Sequence, residues 1–143
     1  MTDNPIDLPK KIVIDASIAV KWFAEEKDSP QAREVFEKIH KGQILALVPD
    51  LIYYEVINAL WKSKKQDRPR ISRALEELFT SPLEITVLDS NIAEISVEYM
   101  LKYNLTFYDA VYVGLSKFFN ASLLSANPKD HDKVEEIKVI GLK

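Results

Sequence analysis

Short apolar runs rich in β-branched residues alternate with longer stretches of helical period, and this alternation limits the fold more than any other feature of the chain. Residues 12–14, 44–48, 85–88 and 122–125 read as strands, with residues 138–140 as a last edge strand. Ser29-Pro30 predicts a helix start with serine as the cap; Ala32, Val35, Phe36 and Ile39 supply its apolar face, and Gly42 closes it. Pro49-Asp50 opens another helical stretch through Trp61. Ile71, Ala74, Leu75 and Leu78 mark the next. Ile92, Ile95 and Tyr99 line one ending near Asn104, and Thr106 begins one that runs to about Phe119. Strands separated by helices must be joined by crossovers, so the expected architecture is α/β, a mostly parallel sheet covered on both faces. In such sheets, sites lie beyond the carboxyl ends of strands, where strand order reverses. With 143 residues and no internal repeat, a single domain over 1–143 is expected, residues 1–10 forming a flexible N-terminal segment.

Most acidic residues have local company. Glu34 precedes Lys38 by four and Glu37 precedes Lys41 by four, the spacing of surface helix pairs. Asp15, Glu55 and Asp109 have none: no cation stands within helical reach, and their neighbours are largely apolar. Taken singly, each has an ordinary explanation. Asp15 can cap a short helix from Ala16, Asp109 follows Thr106 in a capping-box spacing, and Glu55 can meet a distant Lys or Arg. Taken together, they make a different case. Three carboxylates converging at about 5 Å would repel by about 3 kcal/mol per pair at an effective dielectric near 20. Such a group must protonate, find an arginine or hold a cation. All-oxygen donors favour a hard ion, Mg²⁺ with Mn²⁺ as substitute, and that chemistry suits phosphodiester hydrolysis.

The net charge of −3 means that any nucleic acid must be met by a local patch or by metal ions. One patch exists: Lys62, Lys64, Lys65, Arg68, Arg70 and Arg73 fall in twelve residues with a single acid, Asp67. It reads either as a solvated helix end or as a rim for an RNA backbone. The chain has no cysteine, hence neither a disulfide framework nor a thiolate zinc site. No apolar run approaches membrane-spanning length and the N-terminus lacks a signal-peptide pattern, so the expected setting is cytoplasmic. His131 reads as a solvent-facing loop histidine, and Trp22, Phe23 and Trp61 as core or dimer contacts rather than base-stacking surfaces.

VIDASIAVKWF (13–23), VPDLIYYEVINAL (48–60) and LTFYDAVYVGLSKFFNASLLSAN (105–127), in this order, resemble the PIN-domain family, specifically VapC-type toxins of toxin–antitoxin pairs. The resemblance covers nearly the whole chain. It implies a three-layer α/β/α sandwich and an Mg²⁺-dependent endoribonuclease whose pocket is formed by Asp15, Glu55 and Asp109. It also implies pocket-ordering roles for Ser17 and Ser125, an RNA substrate, a cognate antitoxin and a homodimer. One departure is plain: where the family carries a fourth acid, this chain has Asn127, a weaker and uncharged metal donor. Asp130 and Asp132 stand nearby as substitute acids.

Of two other readings, the residues speak against the first and leave the second open. A haloacid-dehalogenase-like enzyme needs a second Asp two residues after the first, where this chain has Ser17. A PIN-like domain that binds RNA or protein without cutting is kept open by Asn127.

Overall fold

The computed structural model describes residues 7–131 and 133–142. Of the expected flexible segment, residues 1–6 lie outside the described residues, whereas Leu8 packs against the core. Five strands form one parallel sheet: β1 (Lys11–Ile14), β2 (Leu45–Pro49), β3 (Glu84–Thr86), β4 (Ser122–Leu124) and β5 (Val139–Ile140), in the order β3-β2-β1-β4-β5. Each crossover from β1 to β4 contains two helices. These are α1 (Ala16–Phe23) with α2 (Ser29–His40), α3 (Leu51–Lys62) with α4 (Arg68–Thr80), and α5 (Ser90–Tyr103) with α6 (Phe107–Phe119).

The central strands are buried on both sides. Ile12 and Ile14 of β1 and Ala46 and Val48 of β2 face one core, which is filled by Ile18, Trp22, Val35, Ile52, Leu60 and Leu78. Val13, Leu47 and Leu123 face the other, filled by Ile92, Tyr99, Tyr112 and Leu115. The period-two alternation of a strand thus splits its apolar residues between two layers of helices. Crossover handedness explains the division. The chain moves outward from β1 to β3 with α1–α4 on one face, then returns past β1 to β4. A right-handed connection in the reverse direction must place α5 and α6 on the opposite face. The result is the three-layer α/β/α sandwich. Among the described residues, no helix is long and apolar enough to cross a membrane.

One local expectation is corrected. Ser29 is not the cap of α2; Asp28 occupies that position with φ 67° and makes no side-chain cap bond. Ser29 is instead fully buried, its hydroxyl donating to the Ala24 carbonyl at 3.0 Å and accepting the Glu26 N–H at 2.9 Å. It stabilises the tight α1–α2 link rather than the helix end. The aromatic residues also divide: Trp22 is core, stacked on Phe36 at 4.0 Å and donating to the Ala32 carbonyl, while Trp61 stays 58% exposed.

Candidate metal centre

Strand order reverses between β1 and β4, and the candidate site lies at the carboxyl ends of these two strands. Asp15 is the first residue past β1, held there by its own N–H on the Leu124 carbonyl. Its Oδ1 accepts the Ile18 N–H at 3.3 Å, so Asp15 does cap α1. The capping reading and the site reading are compatible, because the cap bond leaves Oδ2 directed elsewhere. Ser17 donates its hydroxyl to the same Oδ1 and accepts the Ala126 N–H at 2.9 Å. Ser125, fully buried, accepts the Asn127 N–H at 3.0 Å and lies 3.5 Å from the Ser17 hydroxyl. The two serines therefore tie the exit of β1 to the exit of β4.

Glu55 sits mid-way along α3 and Asp109 in the first turn of α6, on opposite sides of this edge. Thr106 caps α6 by accepting the Asp109 N–H at 3.1 Å, which leaves the Asp109 side chain uninvolved in capping. Among the described residues, no hydrogen bond or ion pair reaches the Asp109 carboxylate. The Glu55 carboxylate accepts a 2.7 Å hydrogen bond from the buried Tyr112 hydroxyl. Burial pushes the Glu55 carboxyl above its ordinary value, and the charges of Asp109 and Asp15 push it the same way, against the pull of Tyr112. Glu55 thus senses the charges of the other two acids, and among the described residues no basic side chain offsets them there. Burial, and then the charge of Glu55, push the Tyr112 hydroxyl above its ordinary value, which favours its role as proton donor to Glu55.

Among the described residues, no three acidic or histidine side chains close around a single point. The donor set nevertheless fits a hard, hydrated cation: Mg²⁺ retains several waters and is commonly held through one or two carboxylates. Glu55 feels the like charges of Asp15 and Asp109, and a bound cation would relieve that repulsion.

The remaining expected residues divide. Asn127 is exposed at the rim, with its backbone rather than its side chain engaged. Asp132 and the side chain of Asp130 lie outside the described residues. His131 overturns its expectation. It is 3% exposed, and its Nε2 lies 3.6 Å from Asp15 Oδ2. The loop folds back because His131 N–H bonds the Pro128 carbonyl and Val134, buried in the second core, anchors the following turn. Of the basic run, Lys64 pairs with Glu26, and Lys62, Lys65, Arg68, Arg70 and Arg73 are exposed.

Two site neighbours, Tyr112 and His131, went unrecognised in the sequence. Tyr112 carried a signal, standing three residues after Asp109 on one helix face. His131 carried none, since a loop gives no periodicity to read.

The family profile of the PIN domain matches residues 12–137. The ribonuclease VapC3 of Pyrobaculum aerophilum is 32% identical over 120 residues, which cover 80% of this chain and 88% of that protein. The DNA-bound VapBC complex of Salmonella typhimurium contains a chain that superposes with a TM-score of 0.69 at 17% identity, covering 94% of this chain and 100% of that one. VapBC2 of Rickettsia felis, bound to a promoter DNA fragment, gives a TM-score of 0.69 at 16% identity, covering 92% and 98%. At these identities the two structures speak for the fold.

Proposed function

The chain belongs to the PIN-domain family, and from that premise we propose that it is a metal-dependent endoribonuclease, the toxin of a toxin–antitoxin pair. The observation that carries the reading is the Tyr112–Glu55 hydrogen bond, which joins α3 to the helix that carries Asp109, at the sheet edge where Asp15 leaves β1. The ribonuclease relative supports the RNA substrate, and the VapBC neighbours support an antitoxin partner. The exposed Tyr54, Trp61 and Phe79, around a depression between α3 and α4, support a protein contact such as a homodimer. The same relationships support a cytoplasmic setting.

Asp15, Glu55 and Asp109 would hold Mg²⁺ or Mn²⁺, with Asn127 as a weaker neutral donor. When bound, the ion supplies Lewis acidity toward the phosphodiester and neutralises charge growing on its oxygens. The chain's own residues do the positioning. Ser17 and the Ile18 N–H both bond Asp15 Oδ1 and hold the carboxylate in one orientation, with Oδ2 facing His131 at 3.6 Å. Tyr112 favours the ionised form of Glu55 against the burial that opposes it. The fully buried Leu124 and Ser125 support Asp15, Leu124 through its carbonyl on the Asp15 N–H and Ser125 beside the Ser17 hydroxyl.

A silent RNA- or protein-binding module is the second reading, favoured by the neutral, exposed Asn127 at the family's fourth acidic position. Incubation of labelled structured RNA with the protein in Mg²⁺, Mn²⁺ or EDTA, beside Asp109→Asn, separates the two. Cleavage that requires metal and falls by about a hundredfold or more in the variant is expected. Full activity of a folded Asp109→Asn protein would overturn the assignment, and metal binding without cleavage would favour the silent module.

A further inference from the structure

Two depressions run away from the acidic pocket and meet at Glu25. The nearer, of about 630 Å³, begins at Ser17 and Asn127 beside Asp15 and passes Lys21, Lys27 and Lys64. The farther, of about 350 Å³, lies between the end of α1 and α4 and is bordered by Arg33, Arg70 and Arg73. Together they carry six cationic side chains against three acidic ones, Glu25, Glu26 and Glu77. The strip is therefore net positive on a chain whose overall charge is −3.

Two of the three acids are already engaged. Arg33 pairs with Glu25 at 3.1 Å, and Glu26 pairs with Lys21 at 3.4 Å and with Lys64. Among the described residues no acidic side chain forms an ion pair with Lys27, Arg70 or Arg73. Their charge is left for an external anion. Phe23, half-buried and packed edge-to-face with Trp22 and Phe36, forms part of the wall of the farther depression.

We infer that this strip is the track along which a single-stranded RNA leaves the acidic pocket, its phosphates met by Lys27, Arg70 and Arg73. The inference rests on the ribonuclease reading and adds to it the path of the substrate. It divides the basic run of the sequence in two. Lys64, Arg70 and Arg73 border the track; Lys62, Lys65 and Arg68 border neither depression. It also adds Lys21, Lys27 and Arg33, which lie far from that run in sequence. Contacts of this kind position the backbone without reading bases, and their affinity comes largely from counterion release.

The test uses the full chain with Asp109→Asn to suppress cutting, and a fluorescent single-stranded RNA of about 12 nucleotides, a length suited to such grooves. Binding is followed by anisotropy across a salt series. Arg70→Ala with Arg73→Ala is expected to weaken binding by about fivefold or more and to reduce the salt slope by about 1.4, two phosphate contacts' worth. Both side chains are exposed, and Asp67 caps α4 through the Arg70 backbone N–H, so the double variant keeps its helix cap. Lys62→Ala with Lys65→Ala is expected to lose less than about twofold, because neither residue borders the track. Equal losses in the two pairs, or none in the first, would overturn the track. So would polyglutamate displacing the RNA as well as unlabelled RNA does, which would mark the strip as a site for acidic protein. Metal-dependent cleavage by the native chain separates these results from failure of the ribonuclease reading itself.

Discussion

Replacing Tyr112 by Phe deletes a single oxygen and tests how Glu55 is held. The Tyr112 ring is 2% exposed, and its hydroxyl donates to Glu55 Oε1 at 2.7 Å. A hydrogen bond to an ionised group contributes about 1.5–3 kcal/mol. Glu55 is only half-buried, so water replaces part of what is lost, and a cost of about 1–2 kcal/mol is expected with Glu55 ionised. At about 2.1 cal/mol/K per residue, unfolding of a 143-residue chain carries an entropy of about 0.3 kcal/mol/K, so Tm should fall by about 5 °C. The cost should also depend on pH. The bond favours the carboxylate form and so lowers the Glu55 pKa. Its contribution is therefore complete above the folded-state pKa of Glu55 and shrinks as pH falls through it. Urea unfolding of both proteins in EDTA, at about pH 8 and about pH 4.5, measures this difference. Mn²⁺ titration at the higher pH should show weaker binding by the variant, because Glu55 is then both harder to ionise and free to rotate. A stability loss that is the same at both pH values, with Mn²⁺ affinity unchanged, would refute the claim that Tyr112 orients an ionised Glu55.

The remaining expectations concern the same pocket and the helices that build it. Burial and the neighbouring acids raise the Glu55 pKa, so the folded state binds its proton more tightly than the unfolded state. Stability from this group is thus lost as pH rises from the ordinary carboxylate value through the raised one. Metal-free Glu55→Gln should be more stable than the native chain at about pH 8, the gap closing toward about pH 4 in matched denaturation curves; the opposite order would contradict it. Ser17→Ala removes one bond to Asp15 and one from Ala126. A loss of about 1–2 kcal/mol is expected by urea unfolding, and no measurable loss would show that the serine does not tie the strands together. A Cβ at Gly114 would meet the buried Ser96 hydroxyl at 2.3 Å. Gly114→Ala should therefore cost about 1–3 kcal/mol, and added Ser96→Ala should restore most of it, leaving contacts at 3.3 Å; additive losses in the double-mutant cycle would argue against this close α5–α6 approach. Finally, an antitoxin peptide that presents a basic residue to the carboxylates should bind more weakly as Mn²⁺ is added, and calorimetric affinities indifferent to Mn²⁺ would exclude a shared site.

Much of this protein was legible in one dimension because its information is local. Short apolar runs such as Ile12-Val13-Ile14 located the strands, and Thr106 and Asn104 marked helix ends where the structure places them. Asp15 could be assigned to the exit of β1 because a polar residue directly after a buried strand has nowhere else to stand. Where reading stopped, the missing facts were distances between segments. Glu55 and Tyr112 meet across 57 positions, a contact set only when the third crossover carries α6 to the face opposite α3. The buried place of His131 depends on Val134 seating in a core built from other elements. The basic run looked uniform as a sequence, but a helix turns successive side chains to different directions, and packing of α4 near α1 brought only part of it beside Arg33 and Lys21. Periodicity fixes what a segment buries; the crossovers that reorder those segments decide which charges become neighbours.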